Sequence, residues 1–168
     1  LFLKLMHLST WKELTNMRSD YLNSNSQVSN VEVKIVKVTA DVTLTADQSG
    51  SVVLVNPTAT TEIDLPALSD IQSGWNCKII LTEDTFSGDT TMNQKVNIDF
   101  GSGNAICGII HGTDAGGSDI AVSGDDFINC SAAATPGARF DIFTDGTNWY
   151  VNGLVHDASE CPFNTAAG

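Results

Sequence analysis

All 25 Val and Ile residues of this 168-residue chain lie at or after Val28, and residues 1–27 hold none. β-branched side chains suit pleated, half-buried surfaces and are stiff in helices. The first 27 residues instead carry six of the twelve Leu, a residue that favours helices. The chain therefore divides into an N-terminal arm (1–27), a β-rich body (28–156) and a C-terminal tail (157–168). The length suits one domain plus an appendage, large enough to bury a core without staples.

Charge follows the same division. Residues 1–37 hold five bases and three acids, whereas the remaining 131 hold three bases and 17 acids, a net −14. Such a body repels phosphate backbones, so nucleic acid is a poor partner.

In the arm, Thr10-Trp11-Lys12-Glu13 reads as a capping box. Trp11, Leu14, Met17, Tyr21 and Leu22 then fall on one stripe at spacings of three and four, which predicts an amphipathic helix of about three turns. A helix this short needs a packing partner, either its own body or another subunit. The run from Leu1 to Leu8 is too short to cross a membrane. Residues 23–27 (Asn-Ser-Asn-Ser-Gln) form a polar linker.

From Val28 the period becomes two. Val31, Val33 and Ile35 alternate with Glu32, Lys34 and Val36 as in a half-buried strand. Further strands are predicted at 42–45, 51–55, 61–65, 76–82, 95–100, 105–111, 119–123, 127–130, 138–144 and 148–153. Turn chemistry such as Asp47-Gln48-Ser49-Gly50 and Ser123-Gly124-Asp125 separates them. The expected fold class is all-β, a sandwich or barrel of many short antiparallel strands, with a short N-terminal helical arm. A hairpin centred on Asp145-Gly146 would pair Phe143 with Asn148, Ile142 with Trp149 and Phe140 with Val151. Phe140, Ile142, Trp149 and Val151 then share the core face, and Phe143 and Tyr150 the other.

Catalytic motifs are absent from the sequence. There is no Gly-x-Ser-x-Gly and no His-Glu-x-x-His, and His7, His111 and His156 are far apart. His111 reads as a strand-end residue. Gly101-Ser102-Gly103 precedes a strand-like run, not a helix, and lacks the third glycine of a dinucleotide loop. The acid clusters Asp125-Asp126, Asp141 with Asp145, and Glu83-Asp84 follow no calcium-loop spacing and read as turn acids. A calcium between subunits stays open. Cys77, Cys107, Cys130 and Cys161 contain no Cys-x-x-Cys pair, so no zinc site is expected. They are read as small buried thiols, with three disulfide connectivities as the alternative. No enzyme activity, cofactor or resident metal is expected.

Across residues 38–153 the pattern resembles a module of phage virion proteins, found in capsid decoration (cement) proteins and in tail-fibre or tailspike pieces. The residues that carry it are Val42-Thr43-Leu44-Thr45-Ala46-Asp47-Gln48-Ser49-Gly50, Ile63-Asp64-Leu65-Pro66, Gly74-Trp75 leading into 77–81, and Asp145-Gly146-Thr147-Asn148-Trp149-Tyr150-Val151. The resemblance implies a structural protein on the outer capsid surface of a virion, a homotrimer partnered by the major capsid protein. Neither nucleic acid nor membrane is an expected partner. Leu1, Phe2, Leu3, Leu5, Trp11, Leu14, Met17 and Tyr21 are the expected capsid or subunit contacts. The alternatives are a tail-fibre or tailspike domain, and a secreted glycan-binding β-sandwich using Trp75, Trp149 and Tyr150.

Overall fold

A computed structural model describes residues 33–82, 91–113 and 117–168. They form an all-β body of twelve strands: β1 (Ile35–Val38), β2 (Val42–Thr43), β3 (Ser51–Val55), β4 (Thr61–Asp64), β5 (Asn76–Leu81), β6 (Val96–Asp99), β7 (Ala105–Gly112), β8 (Ser118–Ile120), β9 (Phe127–Cys130), β10 (Arg139–Thr144), β11 (Asn148–Val155) and β12 (Phe163–Asn164). Seven of them make one sheet in the order β1-β3-β5-β10-β11-β7-β8. The other five make a second sheet, β12-β9-β6-β4-β2. The expected N-terminal helix lies outside the described residues.

From β1 to β6 the chain alternates between the sheets, odd strands in the larger and even strands in the smaller. Within each sheet these strands are parallel, β1 with β3, β3 with β5, β2 with β4 and β4 with β6. The result is three turns of a parallel coil, each laying one strand on each sheet. Stacked turns put like residues in contact at the ordinary strand spacing. Val38, Val55 and Leu81 form one buried file, and Ile63, Ile98, Ile128 and Phe163 another. At the corners the file continues through backbone bonds, with Leu44 N–H donating to Asp64 O and Leu65 N–H to Asp99 O, both at 2.8 Å.

This coil corrects the expectation of antiparallel strands, because five of the ten ladders are parallel. The cause is where the short connections go. The three residues between β1 and β2 carry the chain to the opposite sheet instead of back along the same one. The next odd strand therefore re-enters in the original direction. Among the described residues the two sheets stay open-edged and do not close into a barrel.

The first strand uses the opposite face from the one its alternation suggested. Val36 and Val38 turn inward, while Val33 and Ile35 are each 59% exposed. A side-chain period of two makes a one-residue choice reverse the whole strand.

The β10–β11 hairpin keeps the predicted faces but shifts its register. Phe143 pairs with Tyr150, Ile142 with Val151 and Phe140 with Gly153. The turn is centred on Gly146-Thr147, with Gly146 at φ +92°. A left-handed residue at the first central position is the glycine-first hairpin turn. Moving the centre by one residue moves each partner by two, so face parity survives. Phe140, Ile142, Trp149 and Val151 are buried as expected.

Both sheets contribute their inner faces to one core. Trp149 anchors it, edge-on to Trp75 at 5.7 Å between ring centroids and to Phe100 at 6.0 Å. The last residues of the chain belong to this body, since Ala158, Cys161 and Phe163 are buried in the core.

Candidate functional surfaces

Alternating strands give each sheet an outer face, and the two faces differ in chemistry. On the seven-stranded sheet one row reads Ile35, Val52, Lys78, Asp141, Asn152, Ile109 and Ile120 across the strands. The next reads Lys37, Leu54, Ile80, Arg139, Leu154 and His111. The large hydrophobic residues exposed among the described residues are Val33, Ile35, Ile120, Val122, Phe143 and Leu154. Strand parity puts Ile35, Ile120, Phe143 and Leu154 on this side, and Val33 and Val122 adjoin its two edge strands. Phe143 stacks on Tyr150 with centroids 4.8 Å apart and planes 11° from parallel. Lys37, Lys78 and Arg139 outnumber Asp141, which Lys78 holds at 3.1 Å.

The outer face of the five-stranded sheet is acidic. Glu62 and Asp64 project from β4 and Asp99 from β6, with Asp64 and Asp99 directly paired. One carboxylate oxygen from each lies within 4.8 Å of the others, and all three are half-buried. Burial, then repulsion from Asp64, Asp99 and Asp41, pushes the Glu62 carboxyl up. Asp99 is also pushed up, first by burial and then by Asp64 and Asp126, against the pull of the Gly101 N–H. Thr43 Oγ1 donates to Asp64 Oδ2 at 2.8 Å, and Gly101 N–H to Asp99 Oδ1 at 2.7 Å. The three oxygens are a ligand set of the type hard divalent cations take.

Comparison with known proteins finds no matching family model, no matching curated protein and no matching solved structure.

The acids singled out in the sequence have other occupations. Asp125 Oδ2 accepts from the Val122 N–H at 2.7 Å, Asp126 Oδ1 from the Gly103 N–H at 3.3 Å, and Asp141 pairs with Lys78. Asp145 caps its own turn, taking the Thr147 and Asn148 N–H groups, each at 2.8 Å. Glu83 and Asp84 lie outside the described residues. The Glu62, Asp64 and Asp99 group escaped the sequence reading because its members meet only through the β4–β6 register, 35 residues apart.

His111 sits near the end of β7, as predicted, and is exposed, with Nδ1 3.2 Å from Ser118 Oγ. No carboxylate orients this pair among the described residues, so a nucleophile–base–acid triad is not assembled there. Trp75 and Trp149 are both buried, which removes them as sugar platforms. Of the three aromatics in the glycan-binding alternative, Tyr150 alone reaches the surface. The expected contacts Leu1, Phe2, Leu3, Leu5, Trp11, Leu14, Met17 and Tyr21 lie outside the described residues. No helix among the described residues is long and apolar enough to cross a membrane.

Proposed function

We propose that this chain is a structural virion protein that decorates and stabilises the outer capsid surface, as a homotrimer bound to the major capsid protein. The gathering of exposed apolar side chains on the outer face of the seven-stranded sheet carries the reading. Exposed apolar side chains gathered on one face of an otherwise acidic body suit a surface that protein covers. Its few charges, Lys37, Lys78 and Arg139 against Asp141 and Asp145, still favour the bases and suit docking on an acidic neighbour. The acidic face of the other sheet then belongs toward solvent, away from packaged nucleic acid whose phosphates it would repel. The virion-module residues in the coil and the hairpin support the same assignment.

The test is the copy number of this chain relative to the major shell protein in purified source particles, by quantitative mass spectrometry. A ratio near that of the shell protein is expected. A ratio of a few per cent moves the assignment to a tail fibre or tailspike. Absence from particles overturns the virion reading and restores the glycan-binding alternative.

A further inference from the structure

We propose that Cys130 and Cys161 are the two halves of a disulfide that fastens the C-terminal segment to the five-stranded sheet. In the structure both are free thiols, and both are buried. Their placement follows from the β9–β12 register. Phe163 lies opposite Ile128 and Asn164 opposite Phe127, antiparallel. Two more backbone bonds extend that register, Asn129 N–H to Pro162 O at 3.0 Å and Ser131 N–H to Glu160 O at 2.7 Å.

Those two bonds bracket Cys130 and Cys161, which face each other without bonding through their own backbones. Opposed residues of that kind are the closely spaced pairs of an antiparallel ladder, about 4.5 Å between Cα atoms. This falls within the roughly 4.4–6.8 Å that a disulfide spans. Opposed residues share a side of the sheet, and here it is the inner side, with Ile128 and Phe163. Burial pushes the Cys130 thiol well above its ordinary value, and the neighbouring Cys161 thiol pushes it further, as their placement side by side requires. Cys77 and Cys107 belong to the other sheet, so no competing partner shares this ladder.

The reaction needs a small-molecule disulfide such as oxidised glutathione as oxidant. One cysteine thiolate attacks it, forming a mixed disulfide and releasing one reduced thiol. The second cysteine thiolate displaces the remaining half, closing the Cys130–Cys161 bond. Two thiol protons and two electrons leave the protein, and the oxidant ends as two thiols. Burial makes the closed state slow to react. The way in is the short edge strand β12 and the residues after it, where Asn129 Nδ2 donates to Ala166 O at 2.7 Å. Once formed, the bond closes a loop between residues 31 positions apart in sequence, a constraint on the unfolded chain.

The full-length chain with the exposed Cys107 changed to Ala is refolded in a glutathione redox buffer, quenched with acid, alkylated and digested with trypsin. Arg139 is the only Lys or Arg between Cys130 and Cys161, so cleavage there separates them. The expected product joins peptide 96–139 to peptide 140–168, 2 Da lighter than the two thiol peptides summed. The oxidised protein should also show a higher urea midpoint than the reduced one. The linked peptide should vanish in a second variant, Cys161→Ser, whose folding is followed separately by circular dichroism. Separate alkylation or glutathionylation of Cys130 and Cys161, or a link from either one to Cys77, overturns the proposal.

Discussion

The Tyr150 hydroxyl donates to Asp145 Oδ2 at 2.9 Å, across the turn that Asp145 Oδ1 organises by accepting the Thr147 and Asn148 N–H groups. One carboxylate thus accepts four hydrogen bonds, the fourth from Asn148 Nδ2 to Oδ2 at 3.4 Å. The two backbone bonds lead in holding its acidity near pKa 2, with the Tyr150 hydroxyl next. A carboxyl depressed in the folded state contributes stability above its unfolded value, near 3.9, that is lost as pH falls through the folded value. Urea midpoints should therefore drop between about pH 4 and pH 2. Asp145→Ala should lower the midpoint at neutral pH and flatten this acid limb. An unchanged limb would mean that the turn does not depend on the ionised carboxylate.

The acidic trio predicts the opposite slope at milder pH. Glu62 and Asp99 are raised, first by burial and further by neighbouring carboxylates, Asp64 in both cases. The folded state holds their protons more tightly than the unfolded chain does. Their penalty is present above the folded values and is relieved as pH falls toward about 4. Stability should therefore peak in mildly acidic solution. Glu62→Gln should raise stability at pH 7, by about 0.5 kcal/mol once solvent screening at this half-buried site is allowed for. Thermal melts from pH 4 to 8 on both proteins check the sign.

Much of the body was legible because its signals are local. Ser51–Val55 and Phe127–Cys130 were delimited to the residue by their β-branched and turn neighbours. The core face of the hairpin was also legible, since parity fixes it whichever residue centres the turn. The coil was not. Ile35 meets Val52 after 17 residues and Ser51 meets Cys77 after 26, so unequal turns leave no period to find. The acidic trio and the Cys130–Cys161 opposition stayed hidden for the same reason, because both arise from long-range register. The outer apolar face was half visible, with Phe143 assigned to it but Val33 and Ile35 hidden by an alternation that fits either side of β1.

Inward-facing glycines mark where the two sheets approach. A Cβ on Gly108 would lie 2.9 Å from Val151 and 3.1 Å from Phe163, and one on Gly153 would lie 2.8 Å from Ile110. Val151 and Ile110 sit on neighbouring strands, while Phe163 reaches across from the other sheet. Gly108→Val and Gly153→Val should each cost roughly 1–3 kcal/mol through overpacking. Denaturant titration measures this directly, and a neutral result would show that β7 and β11 move apart easily.

Thiol reactivity should separate by environment. Cys107 is exposed on β7, whereas burial, with Asp141 nearby, pushes the Cys77 thiol up to about 12. The thiolate is the reactive form, so Cys77 should resist iodoacetamide at pH 8 in the folded state. Intact mass should show one fast adduct on the reduced protein, and tandem spectra should place it on Cys107. Fast labelling of Cys77 would mean that the β3–β5–β10 region opens.

The outer face of the seven-stranded sheet allows contact to be separated from folding. Ile35 and Ile120 are 59% and 62% exposed and stand on strands at the opposite edges of the sheet. Exposed substitutions away from special features usually change stability by less than about 0.5 kcal/mol. Ile35→Lys and Ile120→Lys should therefore leave the thermal midpoint nearly unchanged. If this face is the covered one, each should weaken binding to particles stripped of the chain, because a lysine ammonium must then be desolvated against apolar surface. Leu54, half-buried between them on β3, would lose its cover in the same experiment. Co-sedimentation with stripped particles reads the effect. Undiminished binding by the double variant would assign the contact to a different surface.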